Sequence, residues 1–85
     1  MKLHILYFAR LREALGRDRE TVEVPASVAT VGDLRAWLVA RGDPHATAFG
    51  EILRIRAAVN QAMVSDEAPL SEGAEVAFFP PVTGG

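Results

Sequence analysis

One segment, residues 30–41, carries a complete set of helix signals, and the stretches on either side of it alternate in the manner of strands. That arrangement leaves few folds open to 85 residues. Thr30 stands where a hydroxyl accepts from a free first-turn amide, and Asp33 three residues on sets a carboxylate at the positive end of the helix dipole. Val31, Leu34, Trp37 and Leu38 then recur at helical spacing, with Asp33, Arg35 and Arg41 assigned to the wet side. Gly42 and Pro44 end the helix.

Before it, residues 2–8 are nearly all apolar, too short for a helix and rich in β formers. Leu3, Ile5 and Tyr7 point one way, and His4, Leu6 and Phe8 the other. Residues 9–15 read as a short helix closed by Gly16, and residues 21–24 as a strand stopped by Pro25. After the main helix, residues 43–51 pattern poorly and read as a loop with one helical turn at most. Residues 53–59 then set Leu53, Ile55, Ala57 and Val59 against Arg54, Arg56 and Ala58 as a third strand. Asn60-Gln61 suits a tight reversal into a short strand at 62–64. Residues 66–73 are turn-rich around Leu70, and 74–79 form the last strand. The predicted class is α+β, with a mixed sheet packed on one main helix. A strand at each end is compatible with a β-grasp, or ubiquitin-like, fold, with residues 1–79 as the domain and 80–85 as an extended tail.

Composition narrows the functions. The chain has no cysteine, which excludes a disulfide framework, a thiolate zinc site and a cysteine nucleophile together. A formal charge of −2, with arginines interleaved among acids, argues against nucleic acid as a partner. No apolar run reaches membrane-spanning length and the start lacks a cleavable leader pattern, so the expected location is the cytoplasm, with no membrane partner. His4 and His45 have no further ligand at metal spacing, and no metal is expected. Ser27, Ser65 and Ser71 sit in turn or cap contexts, and the glycines at 16, 32, 42, 50 and 73 do not gather into a phosphate-binding loop.

What remains is the end of the chain, Phe78-Phe79-Pro80-Pro81-Val82-Thr83-Gly84-Gly85. Two prolines remove two amide donors and fix φ, so sheet pairing should stop there and the chain should leave extended. Glycines without a Cβ can pass through a narrow channel and bring the Gly85 carboxylate to chemistry inside another protein. Alone, Gly-Gly is also what a frayed end looks like. A carboxylate is a poor electrophile, so acyl transfer from Gly85 requires activation, usually as an acyl-adenylate, which needs ATP and a partner enzyme; sulfide delivered to the adenylate would leave a thiocarboxylate. A second feature lies on the strands. If Leu3, Ile5, Tyr7, Val76 and Phe78 form the core, then Phe8, Phe79, Leu6, Ala77 and Met63 make an apolar patch on the uncovered sheet face at the root of the tail.

The segments Tyr7-Phe8-Ala9-Arg10-Leu11-Arg12-Glu13, Ala58-Val59-Asn60-Gln61 and Glu75-Val76-Ala77-Phe78-Phe79-Pro80-Pro81-Val82-Thr83-Gly84-Gly85 resemble the small, MoaD-type subunits of molybdopterin synthases. The resemblance runs from end to end and is weakest over 43–54. Its most specific part is the Phe-Pro-Pro lead-in, which thiamin-pathway carriers of the same fold usually lack. It implies that a ubiquitin-activating-like adenylyltransferase consumes ATP to adenylate Gly85, which becomes a thiocarboxylate. The tail then enters the large synthase subunit, in a heterotetramer, and gives its sulfur to a pyranopterin precursor. On this resemblance Phe8, Met63 and Phe79 belong to an apolar docking surface and Arg12 to a charged contact beside it. Pro80, Pro81, Val82, Thr83 and Gly84 belong to the inserted arm. The chain would be a co-substrate more than a catalyst, with no cofactor of its own. A carrier for thiamin or tRNA thiolation, or a ubiquitin-like modifier forming isopeptide bonds, would use the same activation.

Overall fold

In chain order, the computed structural model, which describes residues 1–52 and 54–81, contains β1 (Lys2–Tyr7), α1 (Ala9–Leu15), β2 (Arg19–Glu23), α2 (Val31–Ala40), α3 (His45–Glu51), β3 (Arg56–Val59), β4 (Ala62–Val64) and β5 (Glu75–Phe79). The five strands form one sheet in the order β2-β1-β5-β3-β4. Only the central β1–β5 pair is parallel. A parallel neighbour cannot be reached by a tight turn; here everything from α1 to β4 forms the connection, and α2 lies within it.

Register carries the alternation of each strand onto a common face. Leu3 stands opposite Val22, Ile5 opposite Val76, Tyr7 opposite Phe78, and Phe78 opposite Ala57. All of these are buried, and Val31, Leu34 and Leu38 of α2 join them in one core with Leu11 and Leu15 of α1. Burying side chains of this size stabilises the fold by roughly 1.5–3 kcal/mol each before entropy is subtracted. α2 starts where its sequence signals place it. Asp33 donates its amide to Thr30 Oγ1 at 3.2 Å, and Asp33 Oδ2 accepts the amides of Thr30 at 3.2 Å and Ala29 at 3.0 Å. These bonds hold the Asp33 carboxyl below its ordinary range. Gly16 takes φ 71° at the end of α1 and donates to the Arg12 carbonyl at 2.9 Å. The β3–β4 reversal places Asn60 and Gln61 at φ 49° and 71°, the two left-handed residues a primed hairpin turn demands.

Five expectations are corrected. β2 begins at Arg19, two residues before the alternating apolar positions, because Arg19 and Glu20 pair with Leu6 and Ile5. The stretch expected as a loop holds α3, whose His45, Ala48 and Ile52 fill the space beside the core; apolar patterning is diluted there by polar and small residues. β3 begins only at Arg56, since Arg54 at φ 59° interrupts extended backbone; Leu53 lies outside the described residues. Arg35 is not on the wet side of α2. Its guanidinium lies 5.4 Å from the centre of the buried Phe78 ring while Nε donates to Asp66 Oδ1 at 2.8 Å. The last strand starts at Glu75, with Ala74 buried just ahead of it.

Candidate functional site

The other face of the sheet carries no helix in its described core, and its register builds a row of side chains across all five strands. Arg19 of β2 pairs with Leu6 of β1, Leu6 with Ala77 of β5, Ala77 with Ala58 of β3, and Ala58 with Met63 of β4. Because directly paired residues point to one face, Leu6, Ala77, Ala58 and Met63 form a continuous apolar seam. The next row adds Phe79, paired with Arg56. Met63 is 56% exposed and Phe8 45% exposed, the extremes among large apolar side chains of the described residues. An apolar seam on a sheet face without a covering helix, where polar side chains would normally stand, is the kind of surface found at interaction sites.

The predicted site residues fall as follows. Phe79, Met63, Leu6 and Ala77 share the open face, as the parity of the strands implied. Phe8 does not extend β1; it is the extended N-cap residue of α1 at φ −123°, held by its amide donating to the Phe78 carbonyl at 3.2 Å, and it stays exposed at the same end of the sheet. Arg12 is exposed on α1, one turn beyond. Pro80 and Pro81 follow directly on β5 and are half-buried. Val82, Thr83, Gly84 and Gly85 lie outside the described residues. β1 and β5 being parallel, the Phe8 and Phe79 ends coincide, so the seam lies at the end of the sheet from which residues 80 and 81 depart. Asn60 pins the neighbouring hairpin to β5: its Oδ1 accepts the Glu75 amide at 3.0 Å and its own amide donates to the Glu75 carbonyl at 2.8 Å. The Asn60-Gln61 pair therefore sets the position of Met63.

Sequence reading missed a polar cluster on the covered face. Glu20 points inward, its side chain 7% exposed. Its Oε2 accepts the Tyr7 hydroxyl at 2.6 Å and lies 2.8 Å from His45 Nε2, while Oε1 accepts from Arg17 and Arg41 at 3.1 Å each. Burial works to raise the Glu20 carboxyl, but the bonds from Tyr7, His45 and Arg41 outweigh it and bring the group down to about 2. Burial, reinforced by the hydrogen bond to Glu20, pushes the Tyr7 phenol well above its ordinary value. The cluster ties β1, β2, α2 and α3 together, and every buried side-chain polar atom among the described residues is satisfied. One signal was available: a core-facing tyrosine needs an acceptor for its hydroxyl. The Glu20 carboxylate faces the core and all of its partners belong to the fold, so the cluster's role is structural. Among the described residues no three His, Cys, Asp or Glu side chains are arranged to hold a metal ion, and no helix is long and apolar enough to cross a membrane.

A five-stranded mixed sheet with a parallel central pair, one main helix in the connection and an apolar seam beside the last strand defines a ubiquitin-like β-grasp domain. The ThiS family model matches residues 5–85, and the chain belongs to that family. It is similar to the molybdopterin synthase sulfur carrier subunit of Escherichia coli (strain K12), with 48% identity over 83 residues that cover 98% of this chain and 99% of the relative. Among solved structures it resembles SAMP1 from Haloferax volcanii, with TM-score 0.80, 28% identity and full coverage of both chains. It also shares its fold with a chain in the complex of subunits 1 and 2 of the molybdopterin-converting factor from Helicobacter pylori 26695, with TM-score 0.66, 19% identity and full coverage of both chains.

Proposed function

We propose that this chain is the sulfur-carrier subunit of a molybdopterin synthase and that Gly85 is its reacting residue. The observation that carries the reading is the seam Leu6–Ala77–Ala58–Met63 with Phe79 beside it, set at the root of a Pro80-Pro81 arm in a chain whose relatives carry that name. The seam supplies affinity, and the arm supplies reach. Removing an apolar seam of this kind from water contributes about 25 cal/mol for each Å² covered, less the cost of association.

The absence of cysteine fits a route in which sulfur is carried on the terminal carboxylate. The Gly85 carboxylate attacks the α-phosphorus of ATP on an adenylyltransferase of the ubiquitin-activating type, releasing pyrophosphate and forming the acyl-adenylate. A sulfide-equivalent nucleophile adds at the acyl carbon and expels AMP, leaving a C–S bond in a terminal thiocarboxylate. The charged arm then enters the large subunit of the synthase, where acids, bases and the substrate pocket reside. Its sulfur attacks a carbon of the pyranopterin precursor and displaces an oxygen substituent there, giving a thioester; water then cleaves the acyl C–S bond, which leaves the sulfur on the precursor as a thiolate and regenerates the Gly85 carboxylate. Two such rounds supply the two sulfurs of the dithiolene. ATP belongs to the activating enzyme, and this chain binds no cofactor.

The likeness to SAMP1, called small archaeal modifier protein 1 in a second Haloferax volcanii structure, favours one other reading: attachment of Gly85 to protein amines. Deletion of Gly85 in a reconstituted system of large subunit, activating enzyme, ATP, sulfur donor and precursor tests the primary reading. Loss of molybdopterin formation with docking retained is expected. Intact formation would refute it, and Gly85 recovered in isopeptide bonds with no thiocarboxylate would support the modifier.

A further inference from the structure

We infer that Arg19 and Arg56 are contact residues of the docking face, and that the protein which covers the seam presents carboxylates opposite both of them. This rests on the seam being a partner surface, as proposed above. Arg19 stands at one end of it, at the β2 edge, and Arg56 alongside it, beside Phe79 in the next row and three strands away. At about 4.8 Å per strand, and with an offset of two residues or about 6.7 Å along the strands, their backbones are about 16 Å apart, with Leu6 and Ala77 between them.

Both arginines are exposed, and among the described residues neither has a carboxylate within 4.0 Å. The arginines that serve the fold are different ones: Arg17 and Arg41 bind Glu20, and Arg35 binds Asp66. The chain carries a formal charge of −2, yet the exposed side chains flanking this end of the sheet include Arg10, Arg12, Arg19, Arg54 and Arg56, with Glu13, Asp18, Asp66 and Glu67 as the nearby acids, Asp66 being bound to Arg35. A hollow of about 420 Å³ adjoins the seam, with Arg19, Glu20 and Thr21 on its β2 side, His4, Ile5 and Leu6 of β1 along it, and Glu75 on the other side. His4 Nδ1 and Thr21 Oγ1 lie 3.1 Å apart there. A carboxylate entering the hollow meets donors on the Arg19 side and repulsion from Glu75, which fixes where it sits.

Docking on the seam strips water from both guanidinium groups, and an unpaired charge at that position opposes binding unless an acid meets it. An apolar partner surface flanked by two acids therefore fits this face, while a phosphate polymer would leave the seam uncovered. The same pair of charges should steer encounter, an effect that salt removes.

Binding kinetics to the large subunit of molybdopterin synthase, at about 50 mM and about 500 mM NaCl, test this. The proteins are wild type, Arg19→Glu, Arg56→Glu, the double variant, and Lys2→Glu as a control with the same charge change at the far end of β1. Far-UV spectra and melting temperatures establish that each variant folds. The double variant is expected to associate about 30-fold more slowly at low salt and within about threefold of wild type at high salt, with Lys2→Glu within about twofold throughout. If wild type binds and the double variant matches it at low salt, or Lys2→Glu slows binding equally, the inference is wrong. If wild type does not bind, the proposed function falls and takes the inference with it.

Discussion

The two faces of this sheet come from the same strands, alternate residue by residue, and end in opposite conditions. On the covered face every position is used: Leu3, Ile5, Tyr7, Val76 and Phe78 are essentially inaccessible, and the one acid that points inward, Glu20, has four partners. On the open face Leu6, Ala77, Ala58 and Met63 form an equally continuous row, with Met63 more than half exposed. The difference shows what each face is for. Side chains on the first hold the fold, and those on the second are held ready by it. Substitutions should therefore separate cleanly into losses of stability and losses of binding.

The largest effect is expected at Phe78, which is fully buried, meets Phe49 edge-on at 5.4 Å between ring centres and lies under Arg35. Phe78→Ala should cost about 3–5 kcal/mol in denaturant unfolding, a large part of the stability of a domain this size. Glu20→Gln comes next, at about 2–3 kcal/mol, because Arg17 and Arg41 lose their countercharge. It also carries a pH signature. Glu20 titrates at about 2 in the folded chain against an ordinary 4.5, so its contribution is complete above about 4.5 and is lost as pH falls toward about 2. Unfolding midpoints measured across that window should fall less steeply for Glu20→Gln than for wild type. Some slope should persist, since Asp33 is depressed in the same direction.

Met63→Glu sharpens the comparison from the other side. Stability should move by no more than about 0.5 kcal/mol, while affinity for the large subunit should fall at least tenfold, about 1.4 kcal/mol, in titration calorimetry. A loss of stability as great as that of Glu20→Gln would mean that the open face also serves the fold. The smallest effect belongs to the helix start: Thr30→Ala should cost about 1 kcal/mol with docking unchanged.

The division between the faces was legible in the sequence because it rests on period-two alternation. Choosing the strand face without His4 placed Leu3, Ile5 and Tyr7 inside, and the last strand followed. The capped helix was legible for a similar reason, since Thr30 and Asp33 act within one turn. What stayed hidden depends on pairing between distant segments. Glu20 reads as a solvated acid beside Arg17 and Arg19, and it becomes a core residue only because β2 pairs with β1 and α3 brings His45 from 25 residues away. α3 itself has too few large apolar residues to show a helical stripe. The seam was foreseen as a patch, but its order, and the arginines beside it, required the register of all five strands. The four residues that end the chain, Val82 to Gly85, carry the proposed chemistry, and their importance is read from sequence alone.

The most direct test is the intact mass of the chain after incubation with its activating enzyme, ATP and a sulfur donor. The account predicts a gain corresponding to one oxygen replaced by sulfur, mapped by fragmentation to Gly85 and absent when ATP is withheld. An unchanged mass under conditions where the adenylate forms, or sulfur located anywhere else in the chain, would contradict it.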